Sequence, residues 1–395
     1  MSAIVDRAAI VGIGATEFSK DSGRSELQLA LEASLAACAD AGVEPRSIDG
    51  MVTYSLDTSP VIEVARGLGC ERLDYFSLVD FGGGAAAGTI AHAAMAVATG
   101  QATTVLCYRA FNERSGRRFG QAVKQDGADP DARAAHFSWY LPSGLLTPAS
   151  WVAMFAQRYA FVSGATSEDF GRVAVSSRAY AATNPRAWFF ERPITLEEHQ
   201  ASRWIAEPLH LLDCCQESDG GQAFIVTTRE RARDLAGDAV VIRSAHQGAG
   251  YDQHLMTSYY RGDGDRIMPE MGNVAARLWA DTGLTAADID TAVLYDHFTP
   301  FVLTQLEEFG FCARGEAKEF VRDGHIDPGG LLPLNTHGGQ LGEAYIHGMN
   351  GIAEGVRQVR GTAVNGVPDV RNVLVSAGTG VPTSALVLGA EDGCG

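Results

Sequence analysis

The sequence predicts an α/β fold made of two similar halves with a separate block inserted between them. Three observations carry this. Ala39–Tyr54 reads ADAGVEPRSIDGMVTY and Ala280–Tyr295 reads ADTGLTAADIDTAVLY, identical at 7 of 16 positions, where unrelated segments share about one. β-branched runs of strand length alternate with Ala-rich runs of helix length, the grammar of an α/β architecture. A long stretch from Asn112 to about Ala223, rich in aromatics, Arg and Pro, belongs to neither copy.

Each element follows from local chemistry. The first half opens on a strand at Ala8 (AAIVGIG). A helix over Leu27–Asp40 ends at Gly42, which suits the left-handed C′ position. The Ile48-Asp49 pair then leads into a strand ending at Tyr54. Gly82-Gly83-Gly84 opens a small-residue helix, Gly84–Ala98, and a strand follows over Thr103–Tyr108. Glycines before a helix allow close backbone packing and leave amide donors free to face a ligand. The inserted block carries a helix-like run, Trp151–Phe161, and is too long to lack structure of its own. The second half restarts at Val240 (VVIRSAH), with a helix over Gly272–Asp281 and a strand ending at Tyr295. Gly338-Gly339 then precedes a helix over Tyr345–Arg360 and a strand over Asn372–Ser376. The tail Glu391–Gly395 is expected to fray. The units are therefore residues 1–111, closed by strands near 223–228, an inserted loop domain at 112–222, and residues 229–395.

Composition bounds the function. The 395 residues are 46% hydrophobic and 20% charged, enough for a large core. Against 31 Lys and Arg stand 48 Asp and Glu, a net charge of −17. Such a chain is poorly suited to nucleic acid or to an anionic membrane surface. No run of 18 uncharged apolar residues crosses a bilayer, and the N-terminus lacks a basic, then apolar, signal region. A cytoplasmic address is expected. Seven cysteines without a CxxC pair read as free thiols.

Gly12-Ile13-Gly14 lacks the third glycine of a dinucleotide fingerprint and reads as a tight strand exit. Two segments concentrate polar and aromatic side chains where α/β folds bind ligands: Tyr295-Asp296-His297-Phe298-Thr299-Pro300, and Asn335 to Gly348 (NTHGGQLGEAYIHG). Three readings stay open for them: hydrogen-bonded core residues, a metal site from Asp296, His297, His337 and His347, or acid–base and oxyanion chemistry without metal. The metal reading lacks compact ligand spacing. The basic run Arg109–Arg118 is either an internal salt-bridge network or an anchor for phosphates or a partner.

The halves, the insertion and the glycine motifs resemble the thiolase superfamily over nearly the whole chain. Ser218-Asp219-Gly220-Gly221-Gln222-Ala223 looks like the turn by which the thiolase loop domain re-enters the core. Gly338-Gly339 with Gly348, and Ser376-Ala377-Gly378-Thr379-Gly380, are similar to the late thiolase motifs. The departures matter more. Thiolases carry a nucleophilic Cys at the helix start occupied here by Gly82-Gly83-Gly84, and their second catalytic Cys aligns with Ser376 or Ala377. The His of their Gly-His-Pro motif aligns with Tyr345, and their Asn-Glu-Ala-Phe with Tyr295-Asp296-His297-Phe298. An acyl-thioester cannot form without the first Cys. The stretches SKDSGRSEL, YRAFNERSG, SRWIAEPL, LLDCCQESDG and VLYDHFTPF resemble the actinobacterial lipid-transfer-protein branch of sterol carrier protein thiolases, specifically its steroid side-chain aldolases.

That resemblance implies a five-layer α-β-α-β-α fold and retro-aldol cleavage of a steroid β-hydroxyacyl-CoA to a 17-ketosteroid, such as androstenedione, and propanoyl-CoA. It implies Tyr295 and Tyr345 as catalytic residues, supported by His297, His347 and Asp296. Gly83, Gly84, Gly338, Gly339 and Gly378 would line the substrate site, with no cofactor, metal or Schiff base required. It further implies a homodimer through the first-half strand near Val105 and an OB-fold partner completing an α2β2 complex. Non-enzymatic binding of lipid or acyl-CoA is the alternative reading, and a condensing or thiolytic enzyme with an unrecognised nucleophile is a third.

Overall fold

A computed structural model describes residues 4–80, 82–121, 138–235, 238–250, 253, 256, 267–378 and 383–391. The tail beyond Glu391 and the Thr379-Gly380 end of the last glycine motif lie outside the described residues. β1 (Ala8–Ala15), β2 (Gly50–Tyr54), β3 (Tyr75–Val79), β4 (Thr104–Asn112) and β7 (Asp219–Thr228) form one half of a sheet. β8 (Val240–Gly248), β9 (Thr291–Val293), β10 (Asn372–Ala377) and β11 (Thr383–Ala390) form the other. β5 (Trp204–Ala206) and β6 (Leu209–His210) make a separate ribbon in the insertion.

The strand order is β3-β2-β4-β7-β1-β8-β11-β10-β9. Read outward from the centre, β1-β7-β4-β2 mirrors β8-β11-β10-β9. The pairings match as well: β2 runs parallel to β4 as β9 does to β10, while β4–β7 and β10–β11 are antiparallel. β1 and β8 join the halves through a short antiparallel ladder, Ala8↔Ile242 to Ile10↔Val240. Tyr54 ends β2, and Tyr295 follows β9 at the corresponding place, as the repeat requires.

Three apolar clusters define five layers. α3 (Ala86–Ala98) and α11 (Met349–Val359) lie in the middle. There Ile90, Met349 and Ile352 pack with Ile10 and Phe224 of one half and Ile242 and Leu386 of the other. α1 (Glu26–Ala41) and α2 (Val61–Leu68) cover the outer face of the first half, with Leu29 and Val64 against Val11 and Ile225. α7 (Pro269–Thr282) and α8 (Thr299–Phe309) cover the second half. The core strands read as near-continuous apolar runs because both faces are buried. Gly12 and Gly14 are not ligand glycines: a Cβ on either would strike the α1 backbone at Ala37 or Ala33. α1 starts on a Ser25 cap and stops at Gly42 (φ 65°), as its end residues predict.

The insertion folds as α4 (Pro148–Ser163), α5 (Ser167–Thr183), α6 (Leu196–Ala201) and the β5–β6 ribbon, with α4 and α5 sharing the apolar cluster of α7 and α8. Three short elements complete the second half: α9 (Ala317–Arg322), α10 (Gly339–Gly342) and the loop between α10 and α11. Several boundaries differ from the sequence reading. β7 begins at Asp219, four residues before the expected Ala223, because Asp219–Gln222 extend its ladder along β4. The helix expected over Tyr345–Arg360 starts at Met349, since His347 (φ 50°) and Gly348 (φ 88°) take left-handed conformations that break it. Val105 cannot offer a dimer edge: its strand β4 is flanked by β2 and β7, and the residue is fully buried. The open edge of this half is β3, a strand absent from the sequence reading.

Candidate active site

The loop after β9 and the loop before α11 bring Tyr295 and Tyr345 together, their hydroxyl oxygens 3.0 Å apart. Tyr295 is held by its backbone. Its N–H donates to Ser376 Oγ at 3.0 Å, and its carbonyl accepts from Gln305 Nε2 at 2.9 Å. Ser376 Oγ in turn donates to Gln305 Oε1. The Ser376 hydroxyl, at or beside the position of the second thiolase cysteine, therefore serves as a clamp. Tyr345 N–H donates to Ser218 Oγ at 3.1 Å, which ties it to the segment entering β7.

The Tyr295 phenol fits only because glycines surround it. A Cβ on Gly83 would run into its hydroxyl, and one on Gly348 would lie 3.0 Å from its ring edge. Gly378 (φ 53°) packs on the Gly84 backbone so tightly that a Cβ there would clash. Gly83, Gly84 and Gly378 thus converge at the phenol and the start of α3. Gly338 and Gly339 do not. A Cβ on Gly338 would meet Ala181 of α5 at 2.6 Å, and one on Gly339 would strike the Asp296 carboxylate. These two glycines seat the loop against its support rather than lining the phenol pair.

Asp296 accepts the Gln340 N–H at 2.8 Å and the Leu341 N–H at 3.5 Å, so it fastens the α10 turn behind Tyr345. Burial pushes its carboxyl up to about 6 despite those bonds. His297 stacks on Phe301 with ring centroids 4.7 Å apart, lies 4.7 Å from the Tyr295 ring, and accepts the Cys215 N–H on its carbonyl. His347 lies 4.5 Å from the Tyr345 ring. Its Nδ1 sits 3.3 Å from Arg109 Nη2; arginine only donates, so Nδ1 accepts and the ring proton is on Nε2. Burial lowers His297 to about 3, and burial with Arg109 holds His347 well below the usual histidine range. Both imidazoles are neutral and weakly basic. Burial pushes both phenols well above 10, so neither is a standing phenolate. Tyr295 is buried, whereas Tyr345 keeps part of its surface.

The basic run divides on folding. Arg109 is fully buried and pairs with Asp57 Oδ2 at 3.3 Å, while Arg114, Arg117 and Arg118 are exposed, and Arg118 pairs with Glu217 at 2.6 Å. Sequence reasoning missed Glu113 and Cys215, which act on both phenols, and Asp57 and Lys20, which act on Arg109 and Glu113. The signal was partial: Arg109 and Phe111 alternate along β4 and so share a face, whereas Glu113 lies in the turn that follows Asn112. Among the described residues, no group of three or more His, Cys, Asp or Glu is arranged to hold a metal, and no helix is long and apolar enough to cross a membrane.

Comparison with known proteins agrees with this geometry. Residues 260–389 match the family described as "Thiolase C-terminal domain-like". The chain is 66% identical over 391 residues to a steroid side-chain-cleaving aldolase of Thermomonospora curvata, covering 99% of this chain and 100% of that one. It is 62% identical over 383 residues to a 17-hydroxy-3-oxo-4-pregnene-20-carboxyl-CoA lyase of Mycobacterium tuberculosis, covering 97% and 99%. A solved structure described as "Ltp2-ChsH2(DUF35) aldolase" superposes with a TM-score of 0.94 at 66% identity, covering 98% of this chain and 99% of that one.

Proposed function

Because the chain belongs to the thiolase superfamily, among its steroid side-chain-cleaving aldolases, we propose that it cleaves a steroid β-hydroxyacyl-CoA by retro-aldol reaction, giving a 17-ketosteroid such as androstenedione and propanoyl-CoA. The observation that carries this is the phenol pair, 3.0 Å between oxygens, at the glycine turn where a thiolase holds its nucleophile. In such a substrate the β-hydroxyl proton leaves and the Cα–Cβ bond breaks. The bonding pair passes into the thioester as an enolate, so no covalent nucleophile, Schiff base or metal is required. What is required is a proton acceptor for the hydroxyl and a donor for the enolate oxygen. Tyr345 and Tyr295 supply both hydroxyls. His297 and His347 pack the two rings, Asp296 fixes the loop between them, Gly83 makes room for the Tyr295 phenol, and Gly84 and Gly378 let the turn close beside it.

The cysteines fit no acyl-transfer role. Cys215 is the thiol felt by both phenols, and burial pushes it well above 9, so it is not a standing thiolate. Replacing Tyr295 or Tyr345 with Phe should lower turnover by about a hundredfold or more, the usual cost of losing such a donor. Stability should change by only about 1 kcal/mol, the worth of one hydrogen bond. Steady-state turnover and a melting curve read the two effects separately, and a Phe variant with wild-type turnover would remove that tyrosine's role.

The description of the related solved structure, "Ltp2-ChsH2(DUF35) aldolase", names a DUF35 protein beside the aldolase. We further propose, on that name and on the family resemblance, that the chain works as a cytoplasmic homodimer bound to an OB-fold partner in an α2β2 assembly. The β3 edge supports the homodimer part: it is open, with Phe76 61% and Leu78 55% exposed. A non-enzymatic lipid-binding role has no observation in its favour over the aldolase.

A further inference from the structure

Glu113 has no part in the reading above, yet its charge bears on both phenols. It is only 2% exposed, and its Oε2 is sealed from solvent without a hydrogen-bond partner. It opens the turn after β4. Asn112, the last residue of that strand, pairs with Asp219, and Asp219 follows Ser218, whose Oγ accepts the Tyr345 N–H, so the turn and the tether of Tyr345 leave the same end of the β4–β7 ladder. Its charge acts on Tyr295, Tyr345 and the Cys215 thiol alike. A buried carboxyl with a vacant lone pair is costly unless something uses it.

The retro-aldol step needs a base that the phenols alone cannot be. Both are held in the neutral form, so a phenol can take the substrate proton only while passing its own proton on. The neighbouring candidates fail. His297 is lowered to about 3, His347 is held well below the usual histidine range, and the Asp296 oxygens are engaged by Gln340 and Leu341. We propose that Glu113 is the proton acceptor behind the tyrosine pair, receiving the β-hydroxyl proton through the two phenols and returning it for protonation of the enolate carbon. This rests on the retro-aldolase reading. The hydroxyl O–H breaks and its proton bonds to one phenol oxygen. That phenol's own proton crosses to the second phenol, whose proton reaches the Glu113 carboxylate through a bridging water, since no phenol hydrogen-bonds Oε2 directly. The Cα–Cβ bond then breaks to ketone and enolate, and the same relay run backwards delivers a proton to Cα. Glu113 ends as it began, and no co-reactant is consumed. Glu113 acts through the phenols and does not touch substrate.

The surroundings suit a base stronger than an ordinary carboxylate. Burial raises the Glu113 carboxyl well above 4.5. Glu217 and Asp219, on the approach to β7 and its first residue, push the same way, while Arg109 on β4 and Lys20 between β1 and α1 oppose them. Cys215, Tyr295 and Tyr345 complete the groups facing it. The sign follows. Activity needs the ionised form, so it should be lost as pH falls through the raised Glu113 value, on a limb lying above the ordinary carboxylate range of about 4 to 5.

The test is the pH profile of kcat and kcat/KM on a steroid β-hydroxyacyl-CoA for wild type, Glu113→Gln and Glu113→Asp. Wild type should show the raised acidic limb. Glu113→Gln should lose about a hundredfold or more in kcat, lack that limb, and keep or raise the melting temperature. Glu113→Asp should recover part of the rate with the limb displaced. Wild-type rate and limb in Glu113→Gln would overturn the relay. Should that variant not fold, a wild-type profile flat to pH 5, or a Glu113→Asp limb at the wild-type position, would overturn it equally. Wild-type protein inactive on every β-hydroxyacyl-CoA would instead sink the retro-aldolase reading, and this inference with it.

Discussion

Asp57 and Arg109 meet at 3.3 Å with both side chains fully out of solvent. Asp57 also accepts the Ala110 N–H at 3.0 Å and the Ser59 N–H at 2.9 Å, while Arg109 reaches His347. The pair therefore links β4 to the loop carrying Tyr345. Asp57→Asn nearly keeps the volume but leaves a buried guanidinium uncompensated, which should cost about 3–5 kcal/mol. A lower melting temperature together with reduced turnover is expected; an unchanged melting temperature would mean the pair contributes no more than an exposed one. Single residues were legible in the sequence only where a motif displayed them. Tyr295 and Tyr345 stood at positions where the family pattern was broken, so their types spoke for themselves. Asp57, Arg109 and Glu113 did not, because a buried ion pair and a buried carboxyl read like any surface charge run until the insertion and the second half cover them.

Elements were legible where their signal is local. α1 carries its cap and its terminal glycine within the segment, and the repeated strand–helix–strand units carry their periodicity. The β1–β8 ladder is formed by residues more than 200 positions apart, and nothing in either strand announces the other. The start of α11 was misread for a related reason: Tyr345 and Ile346 look helical, and the left-handed turn at His347 and Gly348 is imposed by packing on Tyr54 and Tyr295. β3 was missed although its alternating exposure is that of a strand with one buried face. An open edge with Phe76 and Leu78 exposed is a natural pairing surface, and a charge placed there should block it. Phe76→Lys combined with Leu78→Glu should convert a dimer to a monomer in light scattering with little loss of melting temperature. A dimer that persists would move the interface away from this edge.

At the scale of the whole molecule, duplication explains the site's position. Tyr54 ends β2 and Tyr295 lies just past the equivalent strand β9, and α3 and α11 meet between them, so loops of both halves converge on one spot. Tyr54 donates to the His347 carbonyl at 2.9 Å, which joins one repeat to the other at the phenol pair. The same frame that positions a nucleophilic cysteine in a thiolase here positions two hydroxyls, and on the proposal above the chemistry changes from acyl transfer to proton transfer without a change of fold. The decisive measurement is product analysis after incubating the protein, alone and with its co-expressed partner, with a steroid β-hydroxyacyl-CoA in the absence of free CoA. Equal amounts of 17-ketosteroid and propanoyl-CoA are expected, at a rate that added CoA does not raise. Products that appear only when CoA is added, or substrate recovered intact from the protein, would contradict the account.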